Sequence, residues 1–243
     1  MIVANLHHRL TRQDAQLAVA LFARHGGATA DEAEEMLREG GLDALLDDPR
    51  LLRALLETRL GTRASLPLFV YVVARHALLR QGERDRMMAD YAASLLLHFG
   101  LRDRATRVSD VDDQTYDTLA SLLDEANGPD PRRTLQVRAH LGSYALWLAG
   151  MFPDFIEHRR WRRGGPDIDY YDAMGQHGFR LAAEHRLAQE HGLDVLFTAV
   201  ATGFPALRVA LNRVSDALLF PGRSSPERLM RQVRDEARWR FSA

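Results

Sequence analysis

Apolar residues recur three and four positions apart along most of the chain, and no stretch alternates apolar with polar residues. The pattern predicts helices and no strand. Thr11 with Asp14, Thr29 with Glu32 and Ser224 with Glu227 read as helix starts with an acid three residues on. A capping hydroxyl accepts one of the first-turn N–H groups that has no partner inside the helix. Asp48-Pro49, Asp130-Pro131 and Ser225-Pro226 place a capping residue before a proline, and proline suits the first helical position because its missing N–H is not needed there. Glycines at Gly26-Gly27, Gly40-Gly41, Gly61, Gly82, Gly100, Gly128 and Gly192 then mark the stops. The expected helices are 11–25, 30–39, 49–60, 67–81, 84–99, 114–126, 131–150, 168–191, 194–218 and 225–240. The fold class is all-α, a bundle of about ten helices with no sheet.

The polar stretch Arg102 to Asp113 is the place where the chain would subdivide, but a single domain over residues 1–243 is the expectation. With 46% apolar and 27% charged residues the composition is that of an ordinary globular chain able to bury a core. The longest apolar stretches, Leu66 to Leu79 and Val195 to Leu211, are interrupted by Arg75, His76, Pro205 and Arg208. Both fall short of the ~20 apolar residues a membrane span requires, so they predict core helices and no membrane partner. The first ten residues carry His7, His8 and Arg9 and no apolar run long enough for a signal segment. A bacterial protein of the cytoplasm is the expectation.

Cysteine and lysine are both absent. The first absence removes disulfides, thiolate metal sites and cysteine nucleophiles; the second removes Schiff-base chemistry and lysine-dependent phosphate loops. A formal net charge of −1 gives no global field for nucleic acid, so any polyanion would have to bind at a local patch. Glu-x-x-His, His-Glu-x-x-His, Gly-x-Ser-x-Gly and Gly-x-Gly-x-x-Gly do not occur. No metal and no cofactor are expected.

Several histidines remain. His177, Glu184 and His191 are seven apart and would share one helical stripe, but ligands two turns apart lie about 10 Å from each other along the axis. His76 and His98 follow apolar residues and read as buried, hydrogen-bonded imidazoles. Asp110, Asp112, Asp113 and Asp117 form an acidic cluster in which Asp113 and Asp117 would stand one helical turn apart. Magnesium takes such oxygen ligands, yet acids at a helix start are also what the dipole favours.

The sharper feature is basic. His158, Arg159, Arg160, Trp161, Arg162 and Arg163, followed by Gly164 and Gly165, set four arginines around a tryptophan. Guanidinium groups grip carboxylate or phosphate bidentately, and the indole offers a face for stacking. The last helix repeats the theme with Arg228, Arg231, Arg234, Arg238 and Trp239, where Glu227, Asp235 and Glu236 would pair with much of the charge.

Between residues 141 and 178 the chain resembles an uncharacterised family of bacterial helical proteins. The likeness rests on Leu141, Gly142, Leu146, Trp147, Gly150, Phe152 and Pro153, then Tyr170, Tyr171 and Gly175, with Ser143 where that pattern carries Asp. It implies a helical fold and no activity. Gly142, Ala145, Ala149, Gly150, Gly175 and Gly178 are small enough to let helices approach closely, and buried tyrosine hydroxyls there would need partners.

Two functions compete at this point. The leading expectation is a non-catalytic interaction or regulatory module that binds another macromolecule through Arg159, Arg160, Trp161, Arg162 and Arg163. The expected partner is a protein or a second copy of the chain, with nucleic acid behind. The alternative is an enzyme or small-ligand binder with a pocket between helices 131–150 and 168–191, lined by His140, Tyr144, Tyr170, Tyr171 and His177.

Overall fold

The computed structural model describes residues 1–25, 27, 29–100, 104–109, 114–222, 225–226 and 228–233. Among them every regular element is helical and no strand occurs. The helices are α1 Arg12–His25, α2 Ala30–Asp47, α3 Pro49–Glu57, α4 Leu66–Leu79, α5 Arg86–Phe99, α6 Leu119–Glu125, α7 Pro131–Met151, α8 Pro153–Arg163, α9 Ile168–Ala183, α10 Arg186–Glu190, α11 Asp194–Thr202 and α12 Phe204–Val214. A 3-10 turn at His7–Arg9 precedes α1, and a π-helical turn, Ser215–Leu219, follows α12.

The helix starts form as capping chemistry predicts. Thr11 and Asp14 cap each other reciprocally, Asp14 Oδ2 accepting the Thr11 N–H at 2.8 Å and Thr11 Oγ1 accepting the Asp14 N–H at 3.3 Å. Thr29, Asp48 and Asp130 each accept a first-turn N–H.

Four boundaries differ from expectation, each for a local reason. Gly41, at φ 68°, ends one helical segment, but the chain re-enters the helix at once and α2 runs on to Asp47. The start expected at 114 lies at Leu119, where Thr118 supplies the cap. The helix expected over 168–191 breaks at Glu184, because the His185 side chain accepts the Leu187 N–H at 3.2 Å and begins α10. The one expected over 194–218 breaks at Gly203, because Pro205 is tolerated only in a first turn. No single helix among the described residues is long and apolar enough to cross a membrane; the α11–α12 pair passes only together and bends by 70°.

One contiguous set of buried side chains runs from Ile2 to Val214. Its centre is α7, which packs on α9, α12, α6 and α5, while α4 packs on α5 and α12. Both α4 and α7 are buried nearly all round, as expected of helices without a polar face. The crossing of α7 and α9 depends on glycine. A Cβ on Gly178 would lie 2.7 Å from the Gly142 nitrogen, and one on Gly142 would lie 2.7 Å from the Phe179 ring. The two backbones therefore approach to a separation no larger residue permits. At its far end α7 is held by α12. Asn212 Nδ2 donates to the Ala149 and Gly150 carbonyls at 2.7 Å each, and Ser215 Oγ donates to the Met151 carbonyl at 2.7 Å. These are last-turn carbonyls that have no partner inside their own helix.

Candidate functional site

The arginine cluster lies on α8, a helix absent from the expected set. Its apolar stripe is short. Pro153, Ile156 and Glu157 are buried, but the next position on that stripe is Arg160, so the second half of the helix leaves the core. His158, Arg159, Arg160, Trp161, Arg162 and Arg163 are all exposed, Trp161 at 73% and the nearby Phe155 at 56%. Gly164 closes the helix in the left-handed region at φ 64°, its N–H donating to the Arg160 carbonyl at 3.0 Å, and the Gly165 N–H reaches the Arg159 carbonyl at 3.4 Å. Cations in a last turn are favoured by the helix dipole.

Two of the guanidinium groups lie beside exposed aromatic rings. Arg159 lies 5.7 Å from the Phe155 ring centre and Arg160 lies 5.9 Å from that of Trp161, with Glu157 3.9 Å from Arg160. An ion pair that long, with Arg160 half exposed, contributes little. The face therefore offers positive charge and exposed aromatic surface together.

This face adjoins part of the tyrosine set. Burial raises the Tyr171 hydroxyl above its ordinary pKa and the nearby Arg159 charge opposes the shift; Tyr170 meets Tyr171 edge to face at 5.6 Å. Burial likewise raises Tyr144, with Tyr171 adding to it. One turn back on α7, His140 stacks on Tyr144 at 6.0 Å and takes the edge of Phe99 at 5.5 Å. Burial pushes the His140 imidazole down to about 3, so it is neutral, and its Nε2 has no hydrogen-bond partner among the described residues. His177 is exposed on α9 and stands apart from the buried face formed by Tyr171, Gly175 and Gly178. Clefts of about 560, 350, 320 and 80 Å³ are lined by residues outside this set. Ser143 is fully occupied, its hydroxyl donating to the Ala139 carbonyl at 2.7 Å and lying 2.8 Å from the Tyr91 hydroxyl.

The remaining candidates are scattered. His76 is buried with Nε2 3.0 Å from the Leu46 carbonyl, and burial lowers its pKa. His98 is half buried, its ring tilted against Phe99. Asp110, Asp112 and Asp113 lie outside the described residues, and Asp117 is exposed in non-helical chain before α6. The helical spacing expected of Asp113 and Asp117 therefore has no helix to carry it. His177, Glu184 and His191 are all exposed, and the break at Glu184 divides their stripe. Among the described residues no three His, Asp or Glu side chains converge as a metal site.

The last helix corrects the reading of a second basic face. Arg228 and Arg231 are buried, at 5% and 2% exposure, and converge on Asp216. Arg228 donates to it at 2.5 Å and Arg231 at 2.9 Å, while Arg231 also reaches Asp154 at 3.1 Å. Burial alone would raise the Asp216 carboxyl, but the hydrogen bonds from Gln232, Arg231 and Arg228 hold it below its ordinary pKa. Glu227, Arg234, Asp235, Glu236, Arg238 and Trp239 lie outside the described residues. Compared with known protein families, with curated proteins and with solved structures, the chain matches none.

Proposed function

We propose that this chain is a non-catalytic interaction module whose α8 face binds an acidic segment of a partner protein. The observation that carries the reading is Trp161, 73% exposed among four exposed arginines. No carboxylate occurs between His158 and Gly165 to neutralise them. A large indole in water gives no stabilisation to the isolated chain, whereas Trp and Arg are the side chains that dominate binding at protein interfaces. Guanidinium groups also lose less hydration than ammonium on burial against carboxylates. The same proposal sets the protein in the bacterial cytoplasm and treats its likeness to helical bacterial proteins as one of fold.

The test is a titration of the full chain with a poly-glutamate peptide, read by anisotropy of the labelled peptide at several salt concentrations. Duplex and single-stranded DNA serve as rival probes. The expected result is peptide binding that weakens with salt and is lost when Arg159, Arg160, Arg162 and Arg163 are all replaced by alanine. Tighter binding of either DNA, lost in the same variant, would assign the face to nucleic acid instead. No binding of any polyanion at low salt overturns the reading.

A further inference from the structure

The last helix is amphipathic in the reverse sense. Ser225 Oγ accepts the Arg228 N–H at 3.1 Å and starts it. Its inward side carries Arg228 and Arg231, 5% and 2% exposed, whereas Leu229, Met230 and Val233 stand 62%, 60% and 55% exposed on the outward side. Leu229 and Met230 precede Val233 by four and three residues, so the three side chains form one strip about a turn long. A helix normally turns such a strip toward the core. This one is prevented from doing so, because rotation about its axis would pull both guanidinium groups away from Asp216 and Asp154. Buried charges parted from their partners are strongly destabilising. The apolar strip is therefore held in water by the ion pairs beneath it.

The surface beside the strip is concave. A cleft of about 560 Å³ lies along the same helix, with Gly222, Pro226 and Leu229 supplying apolar wall and Gln232 polar wall. One helix thus offers both a ridge, Met230 and Val233, and a cleft. A two-fold axis through such a face sets the ridge of each copy against the cleft of the other, the arrangement of an isologous dimer. Charge agrees with the same pairing. In sequence Glu227 stands three residues before Met230, and Arg234 stands one residue after Val233. Antiparallel pairing of Met230 with Val233 of a second copy brings those two positions opposite each other. A formal net charge of −1 leaves no long-range repulsion between copies.

We infer that the chain forms a two-fold dimer through its last helix, with Leu229, Met230 and Val233 of each copy packed antiparallel against those of the other. Three apolar side chains more than half exposed offer on the order of 300 Å² per copy. With flanking polar groups the interface falls at the small end of the known range, so the dimer is weak and forms only with rising concentration. The inference does not rest on the α8 reading, and the exposed arginines of α8 take no part in it.

Sedimentation velocity of the full chain from about 10 µM to about 1 mM tests the inference. The average mass is expected to rise from one copy toward two across that range. Met230→Glu and Val233→Glu should each weaken association about tenfold or more while leaving the thermal melt unchanged, because both side chains are exposed in the single copy. Glu227→Arg should also weaken it, and adding Arg234→Glu to the same chain should restore it, a rescue that follows from antiparallel self-pairing. A single-copy mass at every concentration overturns the inference. So does a dimer that survives Met230→Glu and Val233→Glu, or one that the double charge exchange fails to rescue. Binding to anionic phospholipid vesicles by a chain that stays monomeric, lost in Met230→Glu, would assign the strip to a membrane surface instead.

Discussion

Two arginine-rich helical segments, similar in sequence, are opposite in structure. On α8 the guanidinium groups of Arg159, Arg160, Arg162 and Arg163 are exposed, with Glu157 as a distant and weak neighbour. In the last helix Arg228 and Arg231 are buried around Asp216 and Asp154. The difference lies in what each helix presents one and two turns along. The apolar stripe of α8 ends at Ile156 and Glu157, whereas Arg228 and Arg231 lie on the inward side of their helix and meet carboxylates from α8 and the π-helical turn. Arginine count therefore says nothing of surface; the position of carboxylates on neighbouring elements decides it.

The sharpest test of this contrast is Asp216→Ala. It leaves two buried guanidinium groups without their shared carboxylate, and a loss of about 3–5 kcal/mol is expected in chemical denaturation. A loss below about 1 kcal/mol would show that the buried arginines are not held as described.

Acid should separate the same region from the rest of the core. His140 is neutral when folded, with its pKa lowered by burial to about 3, against roughly 6.5 unfolded. The unfolded state therefore binds the extra proton first. The contribution is complete above pH ~6.5 and fades as pH falls toward 3, by roughly 5 kcal/mol at most. His76, lowered in the same direction, adds to this loss. Asp216, whose folded pKa lies below 3.8, loses its contribution only in stronger acid. Stability measured across this range should fall in two stages, and His140→Phe should flatten the upper one alone.

Smaller effects probe α8 directly. Trp161→Ala should cost about 2 kcal/mol of affinity for the acidic peptide, as expected of an aromatic anchor. Replacing Arg159, Arg162 and Arg163, which leaves the Arg160–Glu157 pair in place, should shift folding stability by no more than about 0.5 kcal/mol, because these three side chains are exposed. A larger destabilisation would erase the contrast between the two segments.

Much of the architecture was legible where the determinant was local. Thr11, Thr29, Asp48 and Asp130 cap helices because the residue that accepts the N–H and the N–H itself lie two or three positions apart. The α8 helix carried the same kind of signal, Pro153 at its start and Gly164 at its end, but its residues lack the apolar recurrence by which helices are recognised. The breaks at Glu184 and Gly203 were concealed by periodicity that continues through them, although Pro205 and the capping capacity of His185 mark both. The site divides along the same line. The α8 arginines were readable as a run of charge. The burial of Arg231 was not, since it is decided by Asp154, 77 residues away.

The ties from Asn212 and Ser215 to the end of α7 govern how the molecule opens. A helix end normally frays by itself, but releasing Ala149, Gly150 and Met151 also strips acceptors from two buried side chains of the α12 segment. Local opening there is coupled to loss of the α12 packing, so the carboxyl end of α7 and α12 form one cooperative unit. Their amides should exchange with solvent hydrogen at a common slow rate set by near-global unfolding. The last turn of α8, on whose carbonyls no side chain from another element is seated among the described residues, should exchange by fraying alone, which would set the proposed binding helix on a more rigid base.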